Sequence, residues 1–261
     1  KFGRNFLAID INCQEISSEL DSIYNHSIND ESNIKIDKYY NILDKYSSNG
    51  NLVQLGNDAH QIGRWFFKDK QYELAVDFVK IAYKAREKTK PYDPELLSRS
   101  YFNYALYNKW LGKYDIAIEF FEKVVSINES EKLKGRAYAL SAECYDIIGY
   151  SYKAIKDYKK AFFYYNKEGV IKNVLGGHIN IGVAYLNIRS DFASKEAIYH
   201  FSETLKLRPD FVAARESLES ALLQSKKIEW NVPEKNDYIY QFIYIHFYLE
   251  RSLMILIKKL M

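Results

Sequence analysis

Cysteine is close to absent: Cys13 and Cys144 are the only two in 261 residues. They lie far apart and outside any Cys-x-x-Cys neighbourhood, which excludes a disulfide framework and a cysteine-ligated metal centre and fits a reducing, cytoplasmic compartment. Proline is scarce at 4 and glycine modest at 11, so the long apolar-periodic stretches run largely without the residues that break helices. No nucleophile elbow, zincin helix, dinucleotide turn or Walker-type phosphate loop is present. Gly112-Lys113 lacks the upstream glycine of a phosphate loop, and Gly176-Gly177 follows no strand, so it reads as the loop into a helix. His26, His60, His178, His200 and His246 do not fall at metal-ligand spacing, and no acidic pair suggests general acid and base work. No catalytic residue, metal or cofactor is expected. A strong charge of one sign is missing too: 37 Lys and Arg against 34 Asp and Glu leave +3, interspersed, which excludes the electrostatic footprint of a nucleic-acid binder.

What is present is hydrophobic residues at 48%, charged residues at 27% and 24 tyrosines, the composition of an ordinary globular chain with a sizeable core. One pattern of small and large residues recurs four times. The first copy is Ile62-Gly63-x-x-Phe66, then Tyr72-x-x-Ala75-x-x-x-Val79-x-x-Ala82. The second is Tyr104-Ala105, then Gly112-x-Tyr114-x-x-Ala117-x-x-x-Phe121-x-x-Val124. The third reads Ile148-Gly149-x-x-Tyr152, then Tyr158-x-x-Ala161-x-x-x-Tyr165, with Glu168 where a small residue is due. The fourth reads Ile181-Gly182-x-x-Tyr185, then Ala197-x-x-x-Phe201-x-x-Thr204, with three extra residues from Arg189 to Ser194 that predict a bulging turn. In Gly63/Ala75, Ala105/Ala117 and Gly149/Ala161 the small residues stand 12 apart, where two antiparallel helices must cross closely. Phe66, Phe121, Tyr152, Tyr165, Tyr185 and Phe201 are expected to fill the space between successive hairpins.

These positions resemble the tetratricopeptide repeat family over roughly two thirds of the chain, in its longer-helix form. The resemblance implies an all-α fold, a right-handed superhelical array of antiparallel helix pairs. Residues 1–50 are then a degenerate N-terminal hairpin, with helical periodicity over Phe6 to Tyr24 and Ile34 to Tyr46 around a polar loop at Asn29 to Asn33. Residues 51–209 are four repeats, 210–227 a capping helix with Ala214, Leu218, Ala221 and Leu222 on one face, and 228–261 a linker and apolar helix. Asp93-Pro94-Glu95 is a helix start, with Asp as N-cap and Pro at the first helical position.

The resemblance also implies a non-catalytic scaffold that holds a peptide or helix of another protein in the concave groove. Counted from each small residue, the groove is lined by His60, Arg64 and Lys68, by Arg99, Phe102 and Lys109, by Asp146 and Lys153, and by Ile179 and Asn187. Arg64, Lys68, Arg99 and Lys109 would meet carboxylates of an acidic or C-terminal peptide while Phe102 packs its apolar side chains; a merely solvated basic face is the competing reading. Arg64 and Leu106 stand where the chaperone-tail clamp of the family carries Asn, so chaperone tails are not expected. Two further readings stay open. The chain opens on Lys1 rather than Met, as a docking or sensory module of a larger signalling protein or enzyme would. Tyr238 to Ile257 is a terminal helix packed on the array or on a second copy, a membrane span interrupted by Glu250-Arg251, or the start of another domain.

Overall fold

The computed structural model describes residues 17–26 and 32–226. Among them are eleven α-helices and no strand: α1 (Ser18–His26), α2 (Ser32–Ser48), α3 (Leu52–Lys68), α4 (Tyr72–Lys88), α5 (Pro94–Trp110), α6 (Tyr114–Ile127), α7 (Glu131–Ile147), α8 (Ser151–Glu168), α9 (Ile171–Ile188), α10 (Asp191–Leu207) and α11 (Val212–Lys226). The pairs α3/α4, α5/α6, α7/α8 and α9/α10 are antiparallel hairpins, and helices touch chiefly their neighbours along the chain. That pattern of near-neighbour contact is what a solenoid is. The apolar tail from Tyr238 to Ile257, its linker and the residues before Ser17 lie outside the described residues; among the described ones, no helix is long and apolar enough to cross a membrane.

The starts and stops follow from local chemistry. The Asp93 carboxylate accepts from the backbone N–H of Glu95 at 2.8 Å and of Leu96 at 3.0 Å, with Pro94 beginning α5. Ser130 and Ser190 cap α7 and α10 in the same way. Three hairpin turns share one C-terminal motif: Lys70, Gly112 and Gly149 adopt positive φ, and the next residue donates back to the last helical turn, Gln71 to Phe66 at 2.9 Å, Lys113 to Asn108 at 2.9 Å and Tyr150 to Tyr145 at 2.8 Å. This left-handed residue satisfies carbonyls that a helix end otherwise leaves unpaired. Arg189 takes the same conformation, φ 56°, after α9.

These turns set the register, and two expected copies shift. Ile148-Gly149 is the turn between α7 and α8, so the third crossing pair is Ala142/Ala154, both fully buried. Tyr152, expected between hairpins, is instead 76% exposed, and Ala161 rather than Glu168 fills the small position of α8. In the fourth hairpin the turn has ordinary length, with no bulge; counted from Arg189, the residue facing Gly182 is Ser194, fully buried. Gly176-Gly177 is not a loop, since α9 begins at Ile171 and both glycines are helical.

Packing explains the small residues. A Cβ on Gly63 would lie 3.1 Å from the Ala75 carbonyl oxygen and 3.2 Å from the Val79 nitrogen, so α3 and α4 are in backbone contact there. Aromatic side chains bind one layer to the next, as where Phe66 stacks on Phe78 at 5.3 Å and Tyr39 of α2 meets both edge-on. The last described helix is α11, whose Ala214, Leu218 and Ala221 are fully buried while Val212 and Leu223 are exposed.

Candidate functional site: the face of the first helices

In a stack of hairpins the first helices lie side by side and their outward residues form one continuous face. Contacts between hairpins run along it. Lys109 of α5 pairs with Glu143 of α7 at 2.7 Å, Asn187 of α9 donates to Asp146 of α7 at 3.1 Å, and the Arg136 guanidinium of α7 lies 5.0 Å over the Phe102 ring of α5. Half-exposed or exposed on the first helices are Arg64 and Lys68, Arg99 and Lys109, Arg136, Asp146 and Ile147, then Ile179, Val183 and Asn187. The face carries Arg64, Lys68, Arg99 and Lys109 over the first two hairpins, both Arg136 and Ile147 over the third, and Ile179 and Val183 beside Asn187 over the last.

Seven of the ten expected groove residues therefore sit on this face, and three do not serve as expected. Arg64 donates to Gln61 at 3.2 Å, Arg99 pairs with Glu95 one turn earlier, and Lys68 is exposed. His60 is 7% exposed and Phe102 only 1%, so neither presents a side chain to a partner; the next hairpin covers both. Lys153 belongs to the first turn of α8, a second helix, where its ammonium lies 5.0 Å over Tyr150 and 5.3 Å over Tyr145. It was placed on the groove only by the shifted third register.

Beneath the basic end lies a polar network that the repeat pattern does not foresee. His60 Nδ1 is 3.0 Å from Ser100 Oγ and its Nε2 is 3.2 Å from Asn103 Nδ2. Arg86, from the second helix α4, donates to Ser100 Oγ at 2.6 Å, to the Leu96 carbonyl at 2.8 Å and to Asn57 Oδ1 at 3.2 Å. Burial first, then the positive charges of Arg86, Arg64 and Arg99, hold the His60 imidazole well below 6.5, so it is neutral at physiological pH. Burial pushes the Arg86 guanidinium down to about 10, which leaves it charged. The sequence did carry a signal for this: Gly56 precedes Gly63 by two helical turns on the same side of α3, and its missing side chain makes room for the Arg86 stem.

Aromatic rings border the same face. Trp110, 51% exposed, stacks on Tyr72 at 5.6 Å, and Phe67 stacks on Tyr107 at 4.3 Å. At the far end His178 and His200 are buried with their Nδ1 atoms 2.9 Å apart. Among the described residues no group of three or more His, Cys, Asp or Glu side chains is placed to hold a metal ion.

No protein-family model matches the chain, and no curated protein matches it. Solved structures do. The apo form of RapI superposes with a TM-score of 0.58 at 16% identity, over 90% of this chain and 61% of that one. The nearly identical tetratricopeptide-like repeats of a Podosopora anserina protein assigned as a kinesin light chain give 0.55 at 17%, over 65% of this chain and 85% of that one. YrrB, a tetratricopeptide repeat protein with an unusual peptide-binding site, gives 0.50 at 16%, over 78% of this chain and 100% of that one. At such identities the likeness is one of fold, and the fold is the all-α tetratricopeptide-type solenoid.

Proposed function

We propose that this tetratricopeptide-type solenoid is a non-catalytic scaffold that holds an acidic and apolar segment of a partner protein against the face of its first helices. The observation that carries the reading is the polarity of that face. Arg64, Lys68, Arg99 and Lys109 lie over the first two hairpins, Arg136 and Ile147, the latter 57% exposed, over the third, and Val183 at 36% over the last. Four first helices about 10 Å apart span about 30 Å, which matches about nine residues of extended chain. Such a segment would set carboxylates against the guanidiniums at one end and apolar side chains on the isoleucines and valine at the other. The peptide-binding site described for YrrB lends the fold a precedent for this use.

The test is selection from a displayed random peptide library, followed by binding measurements with the selected peptides. Peptides carrying Asp or Glu toward one end and apolar residues toward the other are expected. With Arg64, Lys68 and Arg99 changed together to Glu, their capture should fall at least a hundredfold while the helical circular dichroism is unchanged, since each charged hydrogen bond is worth about 1.5 to 3 kcal/mol. Selection of peptides without acidic residues, or capture indifferent to the charge reversal, would overturn the reading.

A further inference from the structure

We infer that Arg86 is the floor of an anion seat on the basic end of this face, and that its ligand is a single carboxylate of the bound segment. The inference rests on the scaffold reading above and narrows it to one residue of a second helix, where the repeat pattern places no ligand contact.

Arg86 lies on α4, yet its head reaches between α3 and α5. The route is opened by Gly56, where a Cβ would meet Arg86 Cγ at 3.0 Å and Nε at 3.4 Å. Along that route the guanidinium arrives beside Asn57 and His60 of α3 and Leu96 and Ser100 of α5. All of these are neutral. Among the described residues no carboxylate forms an ion pair with it, its Nε–H has no acceptor, and the residue is 7% exposed. Asp93 acts on it electrostatically without a hydrogen bond, and a buried cation with no contacting carboxylate is costly.

The acidic groups close by in sequence are committed elsewhere. Asp93 caps α5, Glu95 pairs with Arg99, and Glu87 accepts from the Tyr101 hydroxyl at 2.5 Å. Meanwhile Arg64 and Arg99, both half-exposed, act electrostatically on the same His60 as Arg86 does. The cluster thus presents three guanidiniums against the two carboxylates of Glu95 and Asp93, and an incoming anion completes it. One planar carboxylate suits one guanidinium fork, whether it comes from an Asp or Glu side chain or from a chain terminus.

The experiment follows the arginine Nε–Hε resonances of the full 15N-labelled chain. The Arg86 signal is identified by its loss in Arg86→Lys or, should that variant fail to fold, by its cross-peak to the Gly56 α-protons. Sodium acetate should move this signal saturably, and sodium chloride at equal ionic strength should not. Two peptides then separate the sources: one with internal Glu and an amidated terminus, the other with Gln in place of Glu and a free terminus. Whichever moves the signal names the carboxylate, and its affinity should fall about tenfold or more in Arg86→Gln. No saturable shift with acetate, or the same shift with chloride, overturns the seat. A peptide captured by the groove that leaves Arg86 unmoved overturns the seat and keeps the scaffold; acetate binding without any selected peptide does the reverse.

Discussion

Two glycines of α9 offer a controlled test of how closely the helices approach. Gly176 and Gly182 both lie inside the helix, so alanine should bring each the same gain in helix propensity, about 1 kcal/mol. Their surroundings differ. A Cβ at Gly176 meets nothing within 4 Å, whereas one at Gly182 would lie 2.7 Å from Phe201 Cε1 and 2.9 Å from Cζ. Phe201 of α10 is fully buried and has no free direction in which to yield, so overpacking there costs about 1 to 3 kcal/mol. Gly176→Ala should therefore stabilise by about 0.5 to 1 kcal/mol, and Gly182→Ala should range from neutral to about 2 kcal/mol destabilising. The assay is urea unfolding followed by far-ultraviolet circular dichroism, with slopes compared as well as midpoints because helical arrays can unfold in parts. Adding Phe201→Leu to Gly182→Ala should recover part of the loss, which a double-mutant cycle measures. A Gly182→Ala protein at least as stable as Gly176→Ala would refute the close crossing of α9 and α10 at this residue.

The buried histidine pair predicts a loss of stability in mild acid. Burial foremost holds His178 below its ordinary value, and burial with the charges of His178 and Lys159 pushes His200 down to about 4, while Glu203 works in the opposite sense on His178. The unfolded chain takes up the His200 proton near pH 6.5 and the folded chain only near 4, and His178 is shifted in the same direction, so stability should decline as the pH falls between those values, by about 2 to 3 kcal/mol from His200. Urea midpoints across that range check it, and a profile equally steep in His200→Gln would remove the pair as the cause. The register of the third hairpin is tested by Ala142→Leu and Gly149→Asn. The first should destabilise by about 1 to 3 kcal/mol through overpacking, while the second, at a turn with φ 83° and nothing within 4 Å, should be close to neutral in thermal unfolding. The opposite order would restore Gly149 as a crossing residue.

Much of the fold was legible because its signals are local. The Asp93-Pro94 start, the crossing pairs Gly63/Ala75 and Ala105/Ala117, and the buried stripe of α11 need only the helical period and the chemistry of a cap. The third copy misled for a physical reason. Seven residues are nearly two helical turns, so Ala142 and Gly149, like Ala154 and Ala161, repeat on one face with the same spacing of 12. Periodicity is blind to such a slip. The fourth copy failed similarly, where Ser194 stands in place of the expected alanine and Ala197 lay within reach.

By itself, then, the order of residues determined that the chain forms all-α antiparallel hairpins with close crossings, since small residues, caps and apolar stripes act within a turn or two of where they stand. The tertiary structure decided the rest. The left-handed φ of Gly149 and Arg189 set the register, and the next hairpin buried His60 and Phe102, because exposure of a helix face depends on what stacks upon it. Only the crossing of α3 over α4 could bring Arg86 past Gly56, from one helix of a hairpin to the far side of the other.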